Sequence, residues 1–385
     1  MRILTSNLFI KIICFTVAML LCIRGMVPYA VDGLVVALFF SYFIGYNFFP
    51  VISRSPIDSY LLGIWVLFFA FVLISGIYNN VDTFKFIFYF MFFSFFRVLF
   101  SFGKGALFSF VRSLSYVNCV ICFFTIIAFF GILDIPQLLY TRGGSDRAYG
   151  LIGNPNYFSY LIFINFMLVT LFSHLFSKRV IIILLFIFLL AIISSLSRGV
   201  LIATLVFTVV YYGKRLSTRY LILTISVVIV SAFFFLSDPG NDRIMETISY
   251  RVDDLLNGGG SGRFEIWALG LEFITSKIEY IFFGVGPNQF GDMSKLLGID
   301  NTTHNSYLRL LFELGILGLI VFILLIIYMF NSLKNIPSIY RYTAFFALMI
   351  SWLSNDFILN KETWLFFAVL MTYNQRVGSN DQENV

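Results

Sequence analysis

Asn301-Thr-Thr-His304-Asn305-Ser306-Tyr307-Leu-Arg309-Leu-Leu-Phe-Glu313-Leu-Gly315-Ile-Leu-Gly318-Leu319 is the point where a polar segment runs into a long apolar one. It carries one of the two histidines in 385 residues. The two threonines before His304 suit an N-cap. On a helical projection of about 100° per residue, Gly315 and Gly318 fall within roughly 40° of His304. Arg309 and Glu313 then point away, at roughly 140° and 180°. One face thus carries an ionisable group at its mouth and small residues below, and small residues let helices approach closely in lipid.

Composition agrees with a membrane setting. The chain is 59% hydrophobic and 12% charged, with 50 Phe, whereas a soluble domain carries about 25% charged residues. Cys14, Cys22, Cys119 and Cys122 all lie in apolar runs. The CxxC spacing of the last two has no second pair or histidine beside it, so packing is the expected role. Arg2, Lys11 and an apolar run give residues 1–24 some signal-peptide character, but no small-x-small cleavage site follows. A retained first helix is expected. The net charge of +6 forms no basic patch of the kind nucleic-acid binding needs, so no nucleic-acid partner is expected.

Apolar segments at 8–23, 31–52, 59–77, 84–102, 112–133, 157–176, 180–197, 199–213, 219–236, 305–330, 340–357 and 363–374 predict an all-α polytopic protein with about twelve transmembrane helices. With the N-terminus inside, ten loop Lys and Arg lie on the inner side, against five (Arg24, Arg142, Arg147, Arg198, Lys361) in the short outer loops. That bias makes both termini cytoplasmic. The expected organisation is 1–236 for helices one to nine, 237–303 for an outer loop, and 304–385 for the last three helices and a short tail.

The outer exceptions matter most. Arg142-Gly-Gly-Ser-Asp-Arg147-Ala-Tyr-Gly150-Leu-Ile-Gly153-Asn154-Pro155-Asn156-Tyr157 is a turn-rich loop that ends by starting a helix. Arg198, in Ser194-Ser195-Leu-Ser197-Arg198-Gly199, has no other charge for more than ten residues on the N-terminal side and on the C-terminal side. A charge near membrane depth is a functional candidate by default. Segment 237–303 holds ten of the twenty acidic residues and five basic ones. Ile244, Ile248, Val252 and Leu255 recur at helical spacing, as does the amphipathic stretch 261–274. A small helical cap on the outer surface is expected.

Several chemistries are excluded by pattern. Gly284-Val-Gly286 lacks the strand of a βαβ unit and a Walker lysine. No EF-hand spacing and no GxSxG elbow occur. One outward histidine does not make a metal site. What remains is His304 with Arg147, Arg198 and Arg263. Guanidinium forks bind phosphate oxygens bidentately, and a histidine beside them suits proton transfer near neutral pH. His174, near Lys178, reads as structural.

Ser197-Arg198-Gly199, Gly262-Arg263-x-x-x-Trp267, Gly284-Val-Gly286 and His304-Asn-Ser-Tyr-Leu-x9-Gly318 occur in this order. Together they resemble the O-antigen ligase and O-antigen polymerase superfamily of bacterial membrane glycosyltransferases. Arg147-Ala-Tyr-Gly-Leu-Ile-Gly-Asn-Pro-Asn156 looks like the segment that precedes them in many members. The resemblance implies inverting, metal-independent and cofactor-free glycosyl transfer at the periplasmic face of the bacterial inner membrane. The donor it implies is an oligosaccharide on undecaprenyl diphosphate. Arg198 and Arg263 would hold the diphosphate, His304 would act as general base on the acceptor hydroxyl, and Arg147 would add a phosphate or glycan contact. Catalytic residues on this resemblance are therefore His304, Arg263 and Arg198.

Two acceptors fit: another lipid-linked repeat, giving a polymerase, or a lipid A-core sugar, giving a ligase. The polymerase reading is taken first because polymerases are the more numerous group. Membrane lipids and a chain-length regulator complete the expected partners. A transporter of the lipid-linked glycan is a more distant alternative. Transporters place sites near the midplane, whereas the ionisable residues here collect at the outer ends.

Overall fold

Two asparagines start the helices that frame the site. Asn154 accepts from the backbone N–H of Asn156 and Tyr157, with Pro155 at the first helical position. Asn305 accepts from Tyr307 and Leu308 in the same way. Each satisfies donors that a helix start leaves orphaned. The computed structural model describes residues 7–27, 32–33, 66–68, 70–77, 84–101, 104–142, 145–213, 263–296 and 303–382.

These residues are mostly helical, 81% by count, with little strand. In chain order the helices are α1 (Asn7–Cys22), α2 (Phe84–Ser101), α3 (Lys104–Phe129), α4 (Pro155–Leu171), α5 (Lys178–Ser194) and α6 (Arg198–Gly213). Then come α7 (Arg263–Thr275), α8 (Ile278–Phe283), α9 (Phe290–Leu296), α10 (Ser306–Ser332), α11 (Ser338–Ser354) and α12 (Lys361–Gln382). Of the expected segment at 31–52 only residues 32–33 are described. The expected segment at 219–236 lies outside the described residues, as does 244–255. The segment at 59–77 lies partly outside them. The other apolar segments each coincide with a helix. Among the described residues, two helices, Gly105–Phe129 and Ser306–Ser332, are long and apolar enough to cross a membrane.

The all-α expectation needs one addition. After α3 the chain forms a small antiparallel hairpin, β1 (Leu139–Arg142) with β2 (Ser145–Ala148), in which Tyr140 pairs with Arg147. It positions Arg147, whose side chain turns inward and is buried.

The apolar distribution suits lipid. α10 leaves Ile316, Ile320, Ile323, Leu324 and Ile327 exposed while Glu313 is fully buried. A contiguous exposed apolar face marks contact with lipid or a partner, and the inward carboxylate fits a polar interior. Inside, Phe92, Phe96, Phe100 and Phe110 form a continuous run of ring contacts between α2 and α3. His174, between α4 and α5, meets the Phe108 ring edge-on at 5.7 Å, a packing role. The four cysteines are free thiols.

α10 departs from the sequence projection. Its N-cap is Asn305, not a threonine, and His304 lies before the helix with φ of +49°. Gly315, at φ +68° and ψ −175°, breaks the helix, so His304, Gly315 and Gly318 do not share one helical face. The break frees carbonyls, and the Gly284-Val-Gly286 turn takes them. Val285 N–H donates to Phe312 O at 2.8 Å and Gly286 N–H to Glu313 O at 3.1 Å. A Cβ on Gly315 would lie 2.3 Å from the Phe282 backbone, and one on Gly284 would lie 2.3 Å from the Glu313 backbone. Two glycine segments some thirty residues apart are one joint.

Candidate active site

The ends of α1, α3, α5 and α11 meet the starts of α4, α6, α10 and α12 at one end of the bundle, and the sequence-predicted residues gather there. The organising element is Ser354-Asn355-Asp356, where α11 ends. Arg263, at the start of α7, donates to Ser354 O at 3.1 Å. One turn later Trp267 Nε1 donates to Thr303 O at 2.7 Å. The Arg263-x-x-x-Trp267 spacing thus lays one helix face across both Ser354 and the residue before His304.

Arg198 begins α6 directly after Ser197. Its neighbour Gly199 packs so tightly on Ser354 that an added Cβ would lie 1.7 Å from Ser354 Oγ. Only hydrogen fits there, so the chain carrying Arg198 is held against Ser354. Arg147 donates through Nε to Ser195 O at 2.9 Å and through Nη2 to Asn156 Oδ1 at 3.0 Å.

From Asn156 a relay continues to the histidine. Asn156 Nδ2 donates to Asn355 Oδ1 at 3.3 Å, and that oxygen lies 3.2 Å from His304 Nδ1. The direction follows from one fact: a guanidinium only donates. Arg147 therefore turns the Asn156 oxygen toward itself and its NH₂ toward Asn355. Asn355 must then present oxygen, so His304 Nδ1 is the protonated nitrogen. The lone pair of neutral His304 is left on Nε2. Asn156 and Asn355 carry no charge and sit far apart in sequence, and sequence reasoning missed both.

A second network fixes the loop around His304. Asp356 Oδ1 accepts from Thr303 Oγ1 at 2.6 Å and from Asn305 N–H at 3.2 Å, bracketing the histidine. Its Oδ2 meets Arg309 Nη1 at 3.5 Å, and Arg309 Nε pairs with buried Glu313 at 3.0 Å. A left-handed conformation costs a non-glycine residue about 1–2 kcal/mol, and these bonds hold His304 in it. Arg309 and Glu313, which the helical projection turns away from His304, form an i,i+4 ion pair. It is joined to the site through Asp356 instead of standing apart on another face.

Burial pushes the His304 imidazole below its ordinary pKa, and the Arg263 charge pushes the same way. Asp356 and the Asn355 hydrogen bond oppose the shift. The histidine is accordingly neutral near pH 7, with a basic Nε2.

A protein-family model described as O-antigen ligase matches residues 183–323. That span runs from within α5 to within α10 and includes Arg198, Arg263 and His304. Over this region the chain is similar to the O-antigen ligase family, a match consistent with the O-antigen ligase and polymerase superfamily. Members are membrane-associated, glycosyltransferase-like enzymes of lipopolysaccharide and polysaccharide biosynthesis. No curated protein matches the chain. Asn355 and Asp356, which organise the site, and Arg147 lie outside the matched span.

Proposed function

We propose that the chain is a polysaccharide polymerase of this superfamily. It transfers an undecaprenyl-diphosphate-linked oligosaccharide onto another lipid-linked repeat, without a metal, at the periplasmic face of the inner membrane. The reading takes the chain as about twelve spans with both termini cytoplasmic, residues 237–303 forming the outer loop between helices nine and ten. The observation that carries the chemistry is the common attachment of Arg263 and His304 to Ser354 and Asn355.

In the step proposed, His304 Nε2 takes the acceptor hydroxyl proton as that oxygen attacks the anomeric carbon. The bond from that carbon to the diphosphate oxygen breaks, and the diphosphate leaves with the electron pair. Arg198 and Arg263 meet the charge growing on it. Attack opposite the leaving group inverts the anomeric centre. Arg147, already committed to Ser195 and Asn156, holds the relay that orients His304. Its contact with phosphate or glycan is the lesser part of the reading.

The ligase reading is kept because the matching family model is described as O-antigen ligase. It changes only the acceptor, to a lipid A-core sugar. Deletion of the gene followed by electrophoresis of surface glycan separates the two. Core capped by a single repeat is the polymerase outcome. Uncapped core with long lipid-linked chains accumulating would overturn it in favour of the ligase.

A further inference from the structure

Beside the histidine network, the described residues line an open-mouthed cavity of about 280 Å³, with Arg24, Tyr89, Tyr157, Asn360 and Lys361 among its walls. It shares its scaffold with the site just described. Asn156 turns into the relay while the next residue, Tyr157, lines the cavity. Asn355 and Asp356 hold His304, while Asn360 and Lys361 of the same connection line the cavity.

The cavity's charges are matched. Arg24 Nη1 pairs with Glu362 at 2.5 Å, Glu362 being fully buried, and Lys361 pairs with Asp32. Two cations each facing a carboxylate offer little net attraction to a phosphate. They still offer directed N–H donors, since a guanidinium has five and an ammonium three. Asn360 is only 8% exposed, and its Nδ2 has no acceptor among the described residues. A buried donor left unmade is costly, so the chemistry asks for an acceptor oxygen from a ligand. The tyrosines add apolar walls with polar tips. Donors, acceptors and apolar walls without net charge suit a polyhydroxylated ring. The volume falls just short of the roughly 300–1,000 Å³ of pockets for larger ligands, which is room for one such ring.

We propose that this cavity is the acceptor-sugar subsite. It takes one uncharged sugar ring, whose oxygens accept hydrogen bonds from Arg24, Asn360 and Lys361. This rests on the glycosyl-transfer reading, in which the diphosphate lies by Arg198 and Arg263, toward Ser354 and Gly199. The cavity lies the other way along the connection from Asn355.

The test uses the full chain in lipid nanodiscs and, as probe, the oligosaccharide repeat released from its lipid carrier by mild acid. That probe carries no phosphate and no lipid. Binding is followed by saturation-transfer NMR, with thermal unfolding as the folding control. The wild-type chain is expected to bind it, and Asn360→Leu and Lys361→Met are each expected to weaken binding about tenfold. His304→Gln is expected to lower transfer on the order of 10²–10⁴-fold and leave binding intact. No binding by the wild type, unchanged binding in both cavity variants, or displacement of the oligosaccharide by inorganic diphosphate would each overturn the proposal. If His304→Gln kept transfer while Asn360→Leu lost the sugar, the catalytic assignment would fall and the subsite would stand. The reverse pattern sinks the subsite alone.

Discussion

His304 Nδ1 lies 3.2 Å from Asn355 Oδ1, and the proton between them belongs to the histidine. Arg147 and Asn156 settle that from the other end of the relay, because each amide can turn only one way once the guanidinium has chosen its acceptor. The distal Nε2 is left basic. A neutral asparagine does here what a carboxylate does beside many catalytic histidines. It orients the ring without adding the charge that would raise its proton affinity further.

Replacing His304 by Gln should lower transfer on the order of 10²–10⁴-fold, the usual contribution of general base catalysis. Purified protein and a lipid-linked repeat give the measurement. Full activity in the variant would show that the hydroxyl is activated elsewhere.

Asn355→Leu should remove the orienting acceptor while keeping volume. The expected loss is in kcat, roughly tenfold or more, with KM for the donor little changed. Asn156→Leu should act in the same direction through one more bond. A loss confined to KM in both would mean that these amides touch substrate and do not position the base.

The pH profile follows from the His304 surroundings. Burial and Arg263 depress its pKa below the ordinary 6.5, so activity should rise with pH through a midpoint below 6.5 and level off above it. Arg263→Gln removes a charge that disfavours the imidazolium, and the midpoint should move up. Asp356→Asn removes a charge that favours it, and the midpoint should move down. A midpoint that ignores both substitutions would detach the acid limb from His304.

Arg263→Lys tests the fork. An ammonium keeps the charge but cannot span two phosphate oxygens in a plane. Loss of one charge-assisted hydrogen bond should cost roughly 10- to 100-fold in kcat/KM. Equal activity for lysine and arginine would argue against diphosphate binding by this side chain.

What the sequence disclosed depended on the kind of signal. Apolar runs marked the helices because a span must be apolar along its whole length. Arg198 and His304 stood out because ionisable groups are rare there. Asn156, Asn355 and Asp356 did not, because short polar residues at helix ends are ordinary. Their meaning comes from 199 residues of separation closing to one hydrogen bond. The Asn305 cap was readable, since asparagine caps at least as well as threonine; the presence of two threonines drew attention away. The break at Gly315 was hidden because the residues on either side of it stay apolar. Gly143-Gly144 between Arg142 and Ser145 is a two-residue hairpin signal that a turn-rich reading left unused.

The joint at Gly315 gives the last prediction. Its φ of +68° and the Phe282 backbone 2.3 Å from any added Cβ act together. An alanine there would need both a positive-φ, extended-ψ backbone that is essentially confined to glycine, at about 1–3 kcal/mol, and movement of the Gly284-Val-Gly286 turn, which overpacking puts at about 1–3 kcal/mol. Moving that turn would also release the Val285 and Gly286 N–H bonds to Phe312 and Glu313, just below Arg309 and its link to Asp356. Gly315→Ala should therefore lower the thermal unfolding midpoint and, because the Asp356 brace on Thr303 and Asn305 loosens, lower kcat as well. Gly291, around which an added Cβ meets nothing, supplies the control, and Gly291→Ala should leave both nearly unchanged. Equal behaviour of the two variants would show that the helix break has no part in holding the site.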